Sequence, residues 1–227
     1  MSKAFPSSSD TIIFDGEGVV IDSEPIWDNS QREFLRRRGI AYDRETVKPL
    51  LAGRSLESGA ALLQQKFGFP GDPTVLGRER MEIVRQAFES AIEFVPGFAE
   101  FYEHVSSHFK TCMATVMSSE LLDIVTRKLH LDALFGSRIY SPDRHNLPSK
   151  PAPDLFLYAA AQLGSKPGDC IVIEDSPNGL EAASRAGMFS IGITTTFSAE
   201  KLTAADMVVH SFAEIRILKW LSFARMP

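Results

Sequence analysis

The chain has 227 residues, 44% hydrophobic and 23% charged, with a net charge of -5 and a mean hydropathy of -0.05. At about 150 residues per domain this length allows one large domain, or one domain carrying a smaller insert, and the apolar content excludes intrinsic disorder. The 29 acidic side chains outnumber 24 basic ones, which removes the positive footprint of a nucleic-acid coat and points to a small-molecule partner.

The apolar run within residues 1–14 is too short for a signal segment or a membrane span, so no membrane association is expected. Thr11 to Phe14 reads as a buried strand that opens at Asp15 into a loop with Gly16 and Gly18. Glu24 to Arg38 reads as a helix, with Pro25 near its start and Gly39 past its end. Its terminal Arg36-Arg37-Arg38 run reads as a solvated helix end complementing the helix dipole. A second helix is expected from Ser55 to Phe67, closed by Gly68, and a third from about Val75 to Phe94, before Pro96 and Gly97.

Beyond Gly97 the pattern changes. Thr111 to Met117, Ser137 to Tyr140, Cys170 to Ile173, Ser190 to Ile193 and Met207 to Val209 are short β-favouring runs. Helices at Glu120 to His130, Asp154 to Leu163 and Pro177 to Ala186 alternate with them. That alternation predicts an α/β fold with a doubly wound parallel sheet, and makes the block at about residues 24 to 94 a helical insert after the first strand. Cys112 and Cys170, each in an apolar run, build no disulfide framework, which places the chain in a reducing cytoplasm.

Ligands of open parallel sheets bind outside the carboxyl ends of the strands. Asp15 and Glu17 follow the first strand, Thr115 with Ser118 and Ser119 the second, Lys150 precedes a helix, and Glu174 with Asp175 closes a later strand. Singly, each has a plain structural reading: a turn carboxylate, a strand hydroxyl, a solvated loop lysine, a helix-capping acid pair. Jointly, several carboxylates at one crevice repel unless a hard cation neutralises them, and oxygen ligands suit Mg2+. A lysine beside a divalent cation suits phosphate, with one carboxylate as nucleophile and a second as proton shuttle. The scattered histidines have no metal-site spacing, and the 16 phenylalanines read as core.

The segments Phe14-Asp15-Gly16-Glu17-Gly18-Val19-Val20-Ile21-Asp22-Ser23-Glu24-Pro25, Ala114-Thr115, Ser149-Lys150-Pro151-Ala152-Pro153-Asp154 and Ile173-Glu174-Asp175-Ser176-Pro177-Asn178-Gly179 resemble, in order, the motifs of the haloacid dehalogenase superfamily. The closer resemblance is to its β-phosphoglucomutase-like phosphatase branch. It implies a Rossmann-like core at residues 1–22 and 95–227, a mobile helical cap at 23–94, and hinges near Val20 to Glu24 and Glu93 to Gly97. It further implies Asp15 as nucleophile and metal ligand, Thr115 as phosphate donor, Lys150 as the cation holding phosphate and nucleophile, and Asp175 with Glu174 completing a Mg2+ site. Cap closure would exclude water and choose the substrate.

The resemblance has one departure: where the superfamily's phosphatases carry a second aspartate, giving a backbone carbonyl to the metal and a carboxylate as acid and base, this chain has Glu17. One extra methylene moves a carboxylate by roughly 1 Å, a displacement that can cost about a hundredfold in rate. Gly16 stands where the family usually has an apolar residue, and it is expected to relax the backbone so that the longer side chain can reach the same point. In the cap, Arg54 of Gly53-Arg54-Ser55 and Glu24 near the hinge are candidate substrate contacts, against plain readings as an exposed helix-start arginine and a first-turn acid. The arginine of β-phosphoglucomutase follows the serine, where this chain has Leu56.

The expected function is thus a Mg2+-dependent phosphatase acting on a small phosphate ester of a sugar or polyol, as a monomer or weak homodimer. The alternatives are a sugar-phosphate mutase, or a binding or regulatory protein in which Glu17 has weakened turnover. Dehalogenation is disfavoured, because the haloacid enzymes lack the late acidic pair that Glu174 and Asp175 supply.

Overall fold

Strand β1 (Thr11–Phe14) is buried at every position, and unbroken burial is what a parallel strand covered on both faces requires. The computed structural model describes residues 6, 8–51 and 54–215. They form one sheet of six strands, adding β2 (Lys110–Ala114), β3 (Ile139–Tyr140), β4 (Cys170–Glu174), β5 (Phe189–Ile193) and β6 (Met207–Val209). The order is β3-β2-β1-β4-β5-β6, with every pairing parallel. Phe14 is in register with Met113 on one side and Ile173 on the other, so Asp15 leaves the sheet at its centre.

The helices are α1 (Glu24–Arg36), α2 (Arg44–Leu51), α3 (Leu56–Phe67), α4 (Pro73–Ala91), α5 (Phe98–Ser106), α6 (Ser119–Leu129), α7 (Leu131–Phe135), α8 (Pro142–His145), α9 (Asp154–Gln162) and α10 (Pro177–Arg185). The described residues fall into two compact units. One runs up to Asp22 and resumes at Glu93; the other is Ser23–Ile92. No helix among the described residues is long and apolar enough to cross a membrane.

In the sheet unit, the side chains of a strand alternate between faces. Ile13, Cys112 and Val172 pack on Leu155, Phe156, Ala182 and Ala183 of α9 and α10. The opposite side of β1 presents Phe14, whose ring meets Phe98 at 5.5 Å edge-on and Phe135 at 6.1 Å. Cys112 and Cys170 are both buried free thiols, and burial pushes their pKa values up, which makes them inert core residues.

In the helical unit, Phe34, Leu35, Val47, Ala60, Leu63, Leu76 and Ile83 form a separate core. Local chemistry sets its helix ends: the Ser55 hydroxyl caps α3, Gly68 closes it at φ 73°, and Asp72 caps α4 with Pro73 at its first position. The buried Arg80 donates to Leu56 O at 2.7 Å and Gln31 Oε1 at 3.0 Å, tying α4 to α3 and α1. Burial holds its pKa down at about 10.

Several expected boundaries move. The helix read to Arg38 ends at Arg36, with Arg37 as its cap; Arg38 is half-buried and stacks 3.8 Å over the Phe34 ring. The helix read to Phe94 stops at Ala91, because Phe94 leaves to bridge Ile21. The strand read to Met117 stops at Ala114, where Thr115 begins a loop. Four helices were not expected: α2, whose pattern is interrupted by Pro49, α5, whose Phe98, Phe101, Tyr102 and Val105 repeat at helical spacing, and the short α7 and α8.

Candidate active site

The parallel register brings the ends of β1, β2 and β4 to one edge of the sheet, and the loop after β1 is built to turn there. The Asp15 N–H donates to Ile173 O at 2.9 Å, continuing the strand by one residue. Val20 and Ile21 then both donate to Gly16 O at 2.9 Å, and Gly18 donates to Ile21 O at 2.8 Å. Gly18 has φ 74°, a left-handed conformation that favours glycine.

Asp15, Glu174 and Asp175 are buried, and each offers a carboxylate oxygen such that all three lie within 4.8 Å of one another. The Lys150 ammonium, on a side chain only 4% exposed, donates to Asp15 Oδ1, to Glu174 Oε1 at 2.8 Å and to Ala114 O at 3.3 Å. Glu174 Oε2 also accepts from the Ser176 N–H at 2.7 Å and hydroxyl at 2.9 Å, which fixes the carboxylate at the start of α10.

Thr115 is buried. Its N–H donates to Tyr140 O at 3.0 Å, and its Oγ1 accepts from the Met117 N–H at 3.1 Å. Glu17 is half-buried and close enough for its charge to raise the Asp15 pKa.

Two glycines hold this edge open. A Cβ on Gly16 would fall 2.5 Å from Thr115 Oγ1, and one on Gly179 would fall 1.6 Å from Glu174 Oε1. The threonine therefore occupies the space that a side chain at position 16 would need. Gly179→Ala is expected to displace the Glu174 carboxylate, with a destabilisation of about 1–3 kcal/mol that denaturant unfolding would measure. An unchanged midpoint would contradict this packing.

Burial pushes the Asp15 pKa up to about 7; Lys150 pulls it down, while Glu174 and Glu17 push it further up. Asp175 is raised well above the usual carboxylate range by burial, then by Glu174 and Asp15. Burial opposes the Lys150 ammonium, but Asp15 and Glu174 outweigh it and raise its pKa. With three carboxylates ionised against one ammonium, two negative charges are left in a desolvated cluster. A hard divalent cation fits that oxygen donor set and charge.

Of the residues singled out in the sequence, the structure brings together Asp15, Thr115, Lys150, Glu174 and Asp175, with Glu17 beside them. Glu24 and Arg54 belong to the helical unit. There Glu24 pairs with Arg44 at 2.8 Å and with Lys48, and Arg54 is exposed just ahead of the α3 cap. Sequence reasoning missed Thr195 and Thr196. Thr195 donates to Gly18 O, and the Thr196 side chain hydrogen-bonds Asp175. The available signal was the run of three threonines directly after β5, a strand end like those of β1, β2 and β4.

Comparison with known proteins gives concordant results. The family model for haloacid dehalogenase-like hydrolases matches residues 9–187. The chain is 29% identical over 210 residues to "Probable pseudouridine-5'-phosphatase" of Drosophila melanogaster, covering 90% of each chain. It is 28% identical over 182 residues to a fructose-1-phosphate phosphatase of Escherichia coli, covering 80% of this chain and 95% of the relative. Among solved structures it is similar to a HAD family hydrolase from Deinococcus radiodurans, solved with bound phosphate and sodium. That likeness has a TM-score of 0.81 at 27% identity over 97% of this chain and 99% of the other. On the extent of the family match, the chain belongs to the haloacid dehalogenase-like hydrolase family.

Proposed function

We propose that the chain is a magnesium-dependent phosphomonoester hydrolase acting on a small sugar or polyol phosphate through a phosphoryl group carried on Asp15. The observation that carries this reading is the convergence of three buried carboxylates on one buried lysine at the carboxyl edge of the sheet. The names of the relatives, phosphatases of sugar-containing phosphates, support the substrate class.

Asp15, Glu174 and Asp175, with the backbone carbonyl of Glu17, would hold Mg2+. When bound, the cation neutralises the carboxylates and the charge that builds on the phosphoryl oxygens. An Asp15 carboxylate oxygen attacks phosphorus as the bond to the leaving oxygen breaks, and Glu17 gives that oxygen a proton, releasing the alcohol. Glu17 then takes a proton from water as the water attacks the phosphoryl group on Asp15, which releases phosphate and restores the free carboxylate. Lys150 and the Thr115 hydroxyl hold phosphate oxygens, and Lys150 favours the ionised form of Asp15 against the pull of burial. The helical unit, with Arg54 and Glu24, is assigned to substrate choice.

The test is phosphate release from a panel of sugar, polyol and short-acid phosphates, with Mg2+ and with a chelator, by the parent and Glu17→Asp. The parent is expected to turn over only with the cation. Glu17→Asp is expected to be slower by about tenfold or more, because a carboxylate retracted by roughly 1 Å no longer reaches the leaving oxygen. Release gained only in Glu17→Asp would favour a protein silenced at this position. No release from either would overturn the reading.

A further inference from the structure

The loop after β5 reaches the candidate active site from two strands away, because the sheet order places β4 between β1 and β5. Its first residue anchors it on the far side. Thr194 donates its N–H to Val209 O at 3.0 Å, and its hydroxyl meets His210 Nδ1 at 3.0 Å. The next two threonines turn towards the loop after Asp15. Thr195 donates its hydroxyl to Gly18 O. At the same glycine, an added Cβ would lie 1.9 Å from Asp175 Oδ2 and 2.6 Å from Thr196 Oγ1. Asp175 and Thr196 therefore lie together against the bare α-carbon of Gly18, with the Thr196 hydroxyl bonded to the carboxylate.

We infer that Thr196 is a positioning residue for the cation site, holding the Asp175 carboxylate in its ligating place, with Thr195 latching the loop against which both lie. The inference rests on the cation-dependent reading above. Its physical basis is that Asp175 has two buried carboxylates as neighbours and is repelled by both. A neutral donor on its outer side holds the charge in place without adding a second cation that would compete with Mg2+ for it. Outer contacts of this kind typically change metal affinity by about tenfold to a hundredfold when removed.

The experiment is calorimetric titration of Mg2+ alone into the metal-free full chain, for the parent, Thr196→Val and Thr196→Ser, with thermal unfolding of each metal-free protein. Valine keeps the shape and removes the hydroxyl; serine keeps the hydroxyl. Thr196→Val is expected to bind Mg2+ about ten- to a hundredfold more weakly while melting close to the parent. Thr196→Ser is expected to stay within about threefold of the parent. Equal affinity in parent and valine variant, or a serine variant as weak as valine, would overturn the inference while leaving the cation site standing. A parent that binds no Mg2+ would overturn the cation reading itself, and this inference with it. Should valine not be accommodated, Thr196→Ala makes the same comparison without added bulk.

Discussion

Asp15→Asn is expected to lower phosphate release by more than about a thousandfold on the substrate the panel identifies, with kcat rather than KM carrying the loss. The amide matches the carboxylate in shape, its Oδ1 still accepts from Lys150, and Lys150 keeps its bond to Glu174 at 2.8 Å. The change therefore removes nucleophilicity and one charge while leaving the packing as it is. It also removes a carboxylate that burial has pushed to about 7, so the metal-free variant is expected to melt no lower than the parent at about pH 8. Retention of activity within about a hundredfold of the parent would mean that Asp15 acts as an orienting or basic group and forms no bond to phosphorus. A large fall in melting temperature would mean that the charge stabilises the edge it occupies.

The second large effect links cation, proton and fold. Asp15 titrates at about 7 in the folded chain, against an ordinary aspartate value of 3.8, so between those values the folded chain holds a proton that the unfolded chain has lost. Stability from this group is complete below about pH 4 and is lost as pH rises through 7; Asp175, raised well above its usual range, adds to the loss with the same sign. Mg2+ must displace those protons to bind. Saturating Mg2+ is therefore expected to raise the melting temperature by about 5–10 °C at about pH 8, taking a concentration about a hundredfold above Kd. Near pH 5 the rise is expected to be small. Thermal scans with Mg2+ or a chelator across this range make the check. Equal shifts at both pH values would contradict proton release from the buried cluster, and the pH-dependent fall should be smaller in Asp15→Asn.

The sheet was readable because its strands announce themselves: Thr11–Phe14 and Cys170–Glu174 are unbroken buried runs, and burial on both faces permits little else. The main residues of the candidate site were readable for a related reason. Chemistry in such a sheet collects where strands end, so Asp15, Thr115, Glu174 and Asp175 mark themselves by position as well as by type. Thr196 was not readable, because its meaning depends on β5 lying beside β4, and strand order is a property of the packed sheet. The roles of Gly16 and Gly179 were equally hidden. In sequence each is a flexible link; in the structure each is the space taken by another residue's oxygen. Helix α2 was missed because Pro49 interrupts its pattern, while Val47 within it is buried in the core that offsets the irregularity. Glu24 was legible only as a motif position; its ion pairs with Arg44 and Lys48 depend on how α1 and α2 pack, which the sequence does not show.

The phosphoryl group on Asp15 is the central claim and can be sought directly. The parent enzyme, mixed with its preferred substrate and Mg2+, is stopped in acid within the first turnovers and digested, and the peptide containing Asp15 is weighed beside that from Asp15→Asn. The parent peptide is predicted to be heavier by one phosphoryl group, with the added mass on Asp15 and absent from the variant. Rapid phosphate release with a phosphoryl group on another residue would contradict the claim.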